Sequence, residues 1–261
     1  MTIENRPIPR FIADASQHGI PHGRFAERLA GVFRDACAEI ADLPEGTDLP
    51  EEITWFPERA WSGRVWIPAS ATGQAVLEDE DGGTGDGPVE IEFFGFVSFV
   101  QPVGGDPKDF SASADFTDVI AADNPDWTID LGDEVIGKWE GEQGRTADVT
   151  LVWGRSLVRD AYAVTAEIDG MAVDQDPLFE DRFTLIAPDA LKNYGDDHYL
   201  DIHLWSQRGR EVARESLYDI EEVEPGDPDA GQPGAGEGEK GSDARVCLDP
   251  ANELPDAGPV P

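Results

Sequence analysis

Apolar residues recur every three or four positions between Arg24 and Leu43. They are Phe25, Leu29, Val32, Phe33, Ala36 and Ile40. This spacing places the apolar side chains on one face of an α-helix and leaves most of the charged ones off it. Pro44 and Gly46 follow the pattern, and both residues favour the end of a helix. The sequence therefore predicts one amphipathic helix near the N-terminus.

After Pro50 the period of the apolar positions changes from 3.6 residues to two. Alternation of apolar and polar residues over 110–117, 147–153 and 162–168 predicts strands with one buried face. The segment 93–100 is apolar at both odd and even positions, apart from one glycine and one serine. A strand of this kind is typical of the centre of a structure, where both faces are covered.

Glycine-containing turns separate the predicted strands, and no alternation of strand and helix appears along the chain. The pattern therefore predicts a mainly β protein, built as an antiparallel β-sandwich or a partly closed barrel. The domain prediction has four parts. They are an irregular segment plus helix (1–50), a first β unit (51–125), a β-sandwich unit (126–222) and a disordered acidic tail (223–261). An alternative joins 51–125 to the sandwich as half of one sheet system.

The tail is predicted to be disordered because it is rich in Pro, Gly and acidic residues and has almost no aromatic or β-branched ones. It holds nine acidic and two basic residues, so its net charge of −7 leaves −29 of the total of −36 on the rest of the chain. The acidity therefore belongs to the predicted folded body as well.

Such a charge should repel the phosphates of nucleic acids, so nucleic-acid binding is the function class that the sequence excludes. The acidity has two interpretations. One is a surface that attracts a cationic partner, and the other is adaptation to a high-salt cytoplasm, where surface charges are screened. The four Lys against fifteen Arg favour the halophilic interpretation.

No segment approaches twenty consecutive apolar residues, and the first ten residues lack the apolar stretch of a secretory signal. We therefore expect a cytoplasmic protein with no membrane partner. Cys37 lies in the predicted helix and Cys247 in the predicted tail, so no structural disulfide is expected between them.

Few residues have the spacing of a metal site. Asp79, Asp81 and Glu90 match three positions of a calcium-binding loop, but Thr84 stands where that loop requires glycine. His203 shares a strand face with Asp201, a pair that needs a third ligand to hold zinc or iron. No cofactor is predicted, and the sequence does not exclude the binding of a divalent cation.

Two groups of residues are candidates for binding. Trp55, Trp61 and Trp66 lie close together in the sequence, where they could stack on a sugar or pack the seam between the helix and the first strands. The second group is Trp205 with Arg208 and Arg210, near the last predicted hairpin, where the arginines could hold an anion or pair with nearby carboxylates.

The sequence shows no nucleophile elbow, no phosphate-binding glycine loop and no activated cysteine. The hypothesis it favours is therefore a non-enzymatic β-sandwich that binds or scaffolds a protein partner. Two alternatives stay open: a metal-assisted hydrolase that uses carboxylates with His203, and a carbohydrate-binding module that uses the Trp55–Trp66 cluster.

Overall fold

The predicted change of period appears as one α-helix followed by twelve β-strands in a computed structural model that describes residues 19–77, 87–140, 146–168, 170–192 and 200–217. The elements are α1 (Gly23–Ala38), β1 (Thr54–Trp55), β2 (Arg59–Trp61), β3 (Arg64–Ala75), β4 (Val89–Val100), β5 (Lys108–Thr117), β6 (Ile129–Glu140), β7 (Thr146–Ser156), β8 (Ala161–Ile168), β9 (Met171–Pro177), β10 (Arg182–Lys192), β11 (Leu200–Ser206) and β12 (Glu211–Ser216).

The strands form three antiparallel sheets. The N-terminal sheet has the order β1-β3-β4-β5, with β2 pairing beside β1 on the same strand, β3. The middle sheet has the order β10-β7-β6, and the C-terminal sheet has the order β12-β11-β8-β9. All three sheets are open, so the predicted antiparallel β architecture is confirmed as stacked sheets. The predicted tail and most of the predicted 79–87 loop lie outside the described residues.

The helix and the three sheets stack as four layers, with an apolar core at each of the three interfaces. The first core, between α1 and the N-terminal sheet, includes Leu29, Phe33, Ile67, Ile91, Phe93 and Val97. The second, between the N-terminal and middle sheets, includes Trp66, Phe96, Val149, Leu151, Trp153 and Ile186. The third, between the middle and C-terminal sheets, includes Val152, Phe183, Leu185, Val164, Ile202 and Leu204.

The central strand predicted over 93–100 is confirmed as β4, which packs against α1 on one face and the middle sheet on the other. The expectation for 147–153 is wrong in one respect, because β7 is buried on both faces. Thr150 and Val152 are as deeply buried as Val149 and Leu151. Thr150 made one face of this strand look exposed in the sequence pattern. Because β7 lies in the middle sheet, other layers cover both of its faces.

The helix ends earlier than the sequence pattern predicts. Its last residue is Ala38, and the next amide groups bond three residues back, from Glu39 to Ala36 and from Ile40 to Cys37. These tighter turns end the regular helix, although Ile40 still packs against the first core. This α-helix is too short and too polar to span a membrane, and the described part of the chain has no other.

Pro68 explains why two short strands, rather than one long strand, pair with the same side of β3. Its carbonyl accepts a hydrogen bond from the amide of Phe56, 3.0 Å away, so the missing N–H of the proline faces the same side. Because a proline cannot donate to a neighbouring strand, the pairing is interrupted over 56–58, between β1 and β2.

Candidate functional site

The outer face of the C-terminal sheet carries the most organised group of polar side chains that the described residues display outside the cores. Successive side chains of a strand point to opposite faces. Leu200, Ile202 and Leu204 of β11 enter the third core, so Asp201, His203 and Trp205 point outward. No other described layer covers this face, which we name the outer face.

His203 lies at the centre of the outer face, although its side chain is 7 % exposed. Its Nδ1 lies 2.9 Å from a carboxylate oxygen of Glu211 on β12, and its Nε2 lies 3.7 Å from one of Glu167 on β8. The imidazole also stacks on the indole of Trp205, with ring centroids 5.9 Å apart and planes at 14°. Two carboxylates and one aromatic face therefore fix its orientation.

A chain of hydrogen bonds holds the indole of Trp205 in the same network. Its Nε1 donates to Oγ1 of Thr165, at 2.8 Å, and the Thr165 hydroxyl donates to Glu167, at 2.9 Å. The Glu167 carboxylate in turn lies beside Nε2 of His203, so the hydrogen-bond chain leads back to the imidazole. The two rings and their partners on β8 thus support one another, and the half-buried Trp205 is held in one orientation.

Asp201 completes the outer face toward the other end of β11. Both of its carboxylate oxygens are engaged, one by the guanidinium of Arg214 and the other by the hydroxyl of Ser216. Ser216 lies directly opposite Asp201 in the register of β11 and β12, and Arg214 lies opposite His203. Since the Arg214 charge is balanced by Asp201, the remaining carboxylates of Glu167 and Glu211 make the centre of the face acidic.

The hydrolase hypothesis needs a third metal ligand beside Asp201 and His203. No three His, Cys, Asp or Glu side chains are grouped to hold a metal ion within the described ranges. Most residues of the calcium-loop pattern lie outside those ranges. Cys37 is buried, and burial raises the pKa of its thiol to about 12.

The predicted tryptophan group does not come together on one surface. Trp55 is 6 % exposed and packs edge-on against Phe33 of α1, in the first core. Trp66 is 7 % exposed and packs edge-on against Phe96, in the second core. Trp61 is half-buried beside the second core. The chain thus divides these rings between the two faces of the N-terminal sheet.

The predicted group of Trp205 with two arginines is also divided. Arg208 and Arg210 are exposed in the turn between β11 and β12, and neither forms an ion pair with another described residue. The turn is held by Ser206, whose hydroxyl bonds both the carbonyl and the amide of Arg210. Trp205 instead belongs to the outer face, with His203.

The sequence reasoning missed a second polar region, between the N-terminal and middle sheets. Glu92 of β4 lies near Asp130 of β6, and burial raises the pKa of both carboxyl groups. Burial also raises the pKa of Glu134 to about 7, although a hydrogen bond from Ser113 lowers it. Pairing of β6 with β7 places Asp130 and Glu134 opposite Arg155 and Leu151. Alternation along 129–132 was the available signal, but Asp133 interrupts it at a position where an apolar residue is expected.

Comparison of the chain with protein-family models, with curated protein sequences and with solved structures finds no match. The function is therefore inferred from the geometry of the chain itself.

Proposed function

We propose that this chain is a non-enzymatic protein-binding module and that the outer face of the C-terminal sheet is its binding surface. The observation that supports the proposal is the fixed arrangement of Trp205 and His203 on a sheet face that no other described layer covers. The proposal includes the cytoplasmic location predicted from the sequence.

A pre-ordered face lowers the cost of association, because side chains that are already fixed lose little conformational entropy when a partner binds. Trp is also among the residues most enriched at the energetic centres of protein interfaces. On the outer face, the half-buried indole stacks on an imidazole that two carboxylates flank, and all of these groups are already oriented. An open sheet face with this composition suits the surface of another protein better than it suits a small molecule, which needs a concave site.

The charges of the face indicate the chemistry of the partner. Glu167 and Glu211 flank His203, whereas Arg214 is engaged by Asp201. A partner that presents a Lys or Arg side chain would find carboxylates beside an aromatic ring, and cations bind favourably over indole. We therefore propose a protein partner with a cationic, partly apolar contact segment.

Site-directed photo-crosslinking in the source cells tests the proposal. In one variant the crosslinking amino acid replaces Gln175, an exposed residue of β9 that lies opposite Thr165. In the other variant it replaces Glu27, an exposed residue of α1. We expect a discrete protein adduct from position 175 and none from position 27. Trp205→Ala should weaken binding by about thirtyfold, the effect of losing a central Trp that contributes about 2 kcal/mol.

Leu157→Ala is the matched control, because it also truncates a partly exposed apolar side chain, 37 % exposed and off the outer face. The control should leave the adduct yield unchanged. Equal yields from positions 175 and 27, or a yield that survives Trp205→Ala, would contradict the proposal.

A further inference from the structure

Arg59 is among the largest side chains that are completely enclosed in the described part of the chain, and it is 2 % exposed. Its guanidinium comes from β2 of the N-terminal sheet and forms a close ion pair with Asp174. The other terminal nitrogen lies 3.7 Å from Asp176. Both carboxylates belong to β9, in the C-terminal sheet.

The same cluster also reaches the middle sheet. One carboxylate oxygen of Asp174 accepts a hydrogen bond of 2.9 Å from the amide of Ile186, on β10. Asp174 and Asp176 lie opposite Ala166 and Val164, whose side chains are in the third core, so both carboxylates point inward. One group of side chains thus joins all three sheets.

The charges in this cluster do not balance when both carboxyl groups are ionised. Arg59 supplies one positive charge, and Asp174 and Asp176 supply two negative charges. In the pairing of β8 with β9, the residue opposite Asp176 is Val164, which is apolar and supplies no charge. On β10, Arg182 is engaged by Glu180 and by the carbonyl of Trp55. Within the part of the chain that the structure describes, a buried negative charge therefore has no counterion, which is unfavourable in a poorly solvated site.

The raised pKa of Asp176 agrees with this excess of negative charge. Burial raises it to about 6, a value that includes the lowering by Arg59 and the further raising by Asp174. The pKa of Asp174 is also raised by burial and lowered by Arg59.

We propose that Arg59, Asp174 and Asp176 form a proton-operated joint, in which one proton taken up by the carboxylate pair balances the guanidinium and tightens the C-terminal sheet against the other two. Loss of that proton leaves the excess negative charge inside the joint and loosens the edge formed by β9 and β10. The joint is separate from the outer face, so it holds whether or not that face binds a protein.

Hydrogen exchange followed by mass spectrometry tests the joint in the full chain. Protection of peptides that cover β9 and β10 is measured at pH 5, 6.5 and 8, corrected for intrinsic exchange rates and referred to β4. We expect protection to fall by about tenfold or more between pH 5 and pH 8, because the folded pKa of Asp176 is well above its ordinary value. Asp176→Asn mimics the protonated state, so the decrease should disappear in that variant.

Asp126→Asn is the matched control, because Asp126 is exposed and lies outside the joint. It should behave as the unmodified chain does. A carbon-13 NMR titration of the Asp176 carboxyl group in the unmodified chain keeps the test independent of how the variants fold. Titration in the ordinary range of an aspartate, a protection that does not depend on pH, or a decrease that persists in Asp176→Asn would each overturn the proposal.

Discussion

At the scale of single residues, close approaches between strands determine which side chains the fold accepts. Gly95 of β4 has a φ of +147°, and a Cβ at this position would lie 2.2 Å from the backbone carbonyl oxygen of Ser113 on β5. Backbone atoms of a paired strand cannot move aside as a flexible side chain can. Glycine is therefore required at position 95, where β4 and β5 pair beside the first core.

We expect Gly95→Ala to lower the free energy of unfolding by about 2–3 kcal/mol, because the added methyl group forces β4 and β5 apart. Urea denaturation followed by tryptophan fluorescence measures the change. Gly87→Ala is the control for the φ penalty alone, since Gly87 has a similar φ of +159° and a Cβ there meets no atom within 4 Å. Equal effects of the two substitutions would show that the contact with Ser113 is unimportant.

The tryptophans separate into structural and surface residues in the same way. Trp66→Ala should lower the free energy of unfolding by about 3–5 kcal/mol, because it leaves a cavity in the second core beside Phe96. Trp205→Ala should cost much less stability, since the indole is only half-buried on the outer face. Thermal and urea denaturation of both variants compare the two costs. A similar loss in both would contradict the assignment of Trp205 to a surface role.

Single residues also explain how far the candidate site could be predicted from the sequence. Alternation along β11 correctly placed Asp201 and His203 on one face, because the period of a strand depends only on backbone geometry. The partners Glu167 and Thr165 come from β8, which is distant in sequence, and no local pattern specifies that register. Glu211 lies across the β11–β12 hairpin, where an irregularity between Leu204 and Trp205 shifts the pairing. The joint at Arg59 was missed for the same reason.

At the scale of elements, the hydrophobic pattern predicted α1 and β4 because each depends on its own residues. The layering of three sheets could not be predicted, since it depends on which faces meet. The N-terminal sheet lies within 51–125, and the other two sheets lie within 126–222. Whether these parts form two β units stays a prediction.

The edge strand β6 shows how an element is protected from the wrong partner. Among the described strands it pairs only with β7, and its pairing is shifted between Val135 and Gly137. The exposed Lys138 and Glu140 lie beyond this irregularity. Bulges and charged side chains on an edge strand oppose its pairing with another chain. β6 therefore has two of the features that prevent aggregation.

We expect the double substitution Lys138→Val with Glu140→Val to cause association that increases with protein concentration, because it removes both charges beside an unpaired backbone. Sedimentation velocity at several concentrations measures the effect. Arg24→Val with Glu27→Val on the exposed side of α1 is the matched control, since it removes the same charges from a helix, away from any sheet edge. Equal association of both variants would mean that added hydrophobicity, and not the strand edge, is responsible.

At the scale of the whole molecule, the net charge of −36 coexists with carboxyl groups that are enclosed between layers. Burial raises the pKa of five of them: Glu92, Asp130, Glu134, Asp174 and Asp176. A raised pKa means that the folded protein binds protons more tightly than the unfolded chain does. The stability that these groups contribute is therefore complete at low pH and is lost as the pH rises through their folded pKa values.

The pH window of this effect follows from the two largest shifts. The pKa of Asp176 rises from 3.8 to about 6, and that of Glu134 rises from 4.5 to about 7. We expect the free energy of unfolding to fall by roughly 4 kcal/mol between pH 5 and pH 8. Urea denaturation in 2 M KCl measures it, because this salt concentration screens the general repulsion between surface charges. Glu134→Gln with Asp176→Asn should flatten the dependence. A stability that increased with pH under these conditions would contradict the raised pKa values of these two buried carboxyl groups.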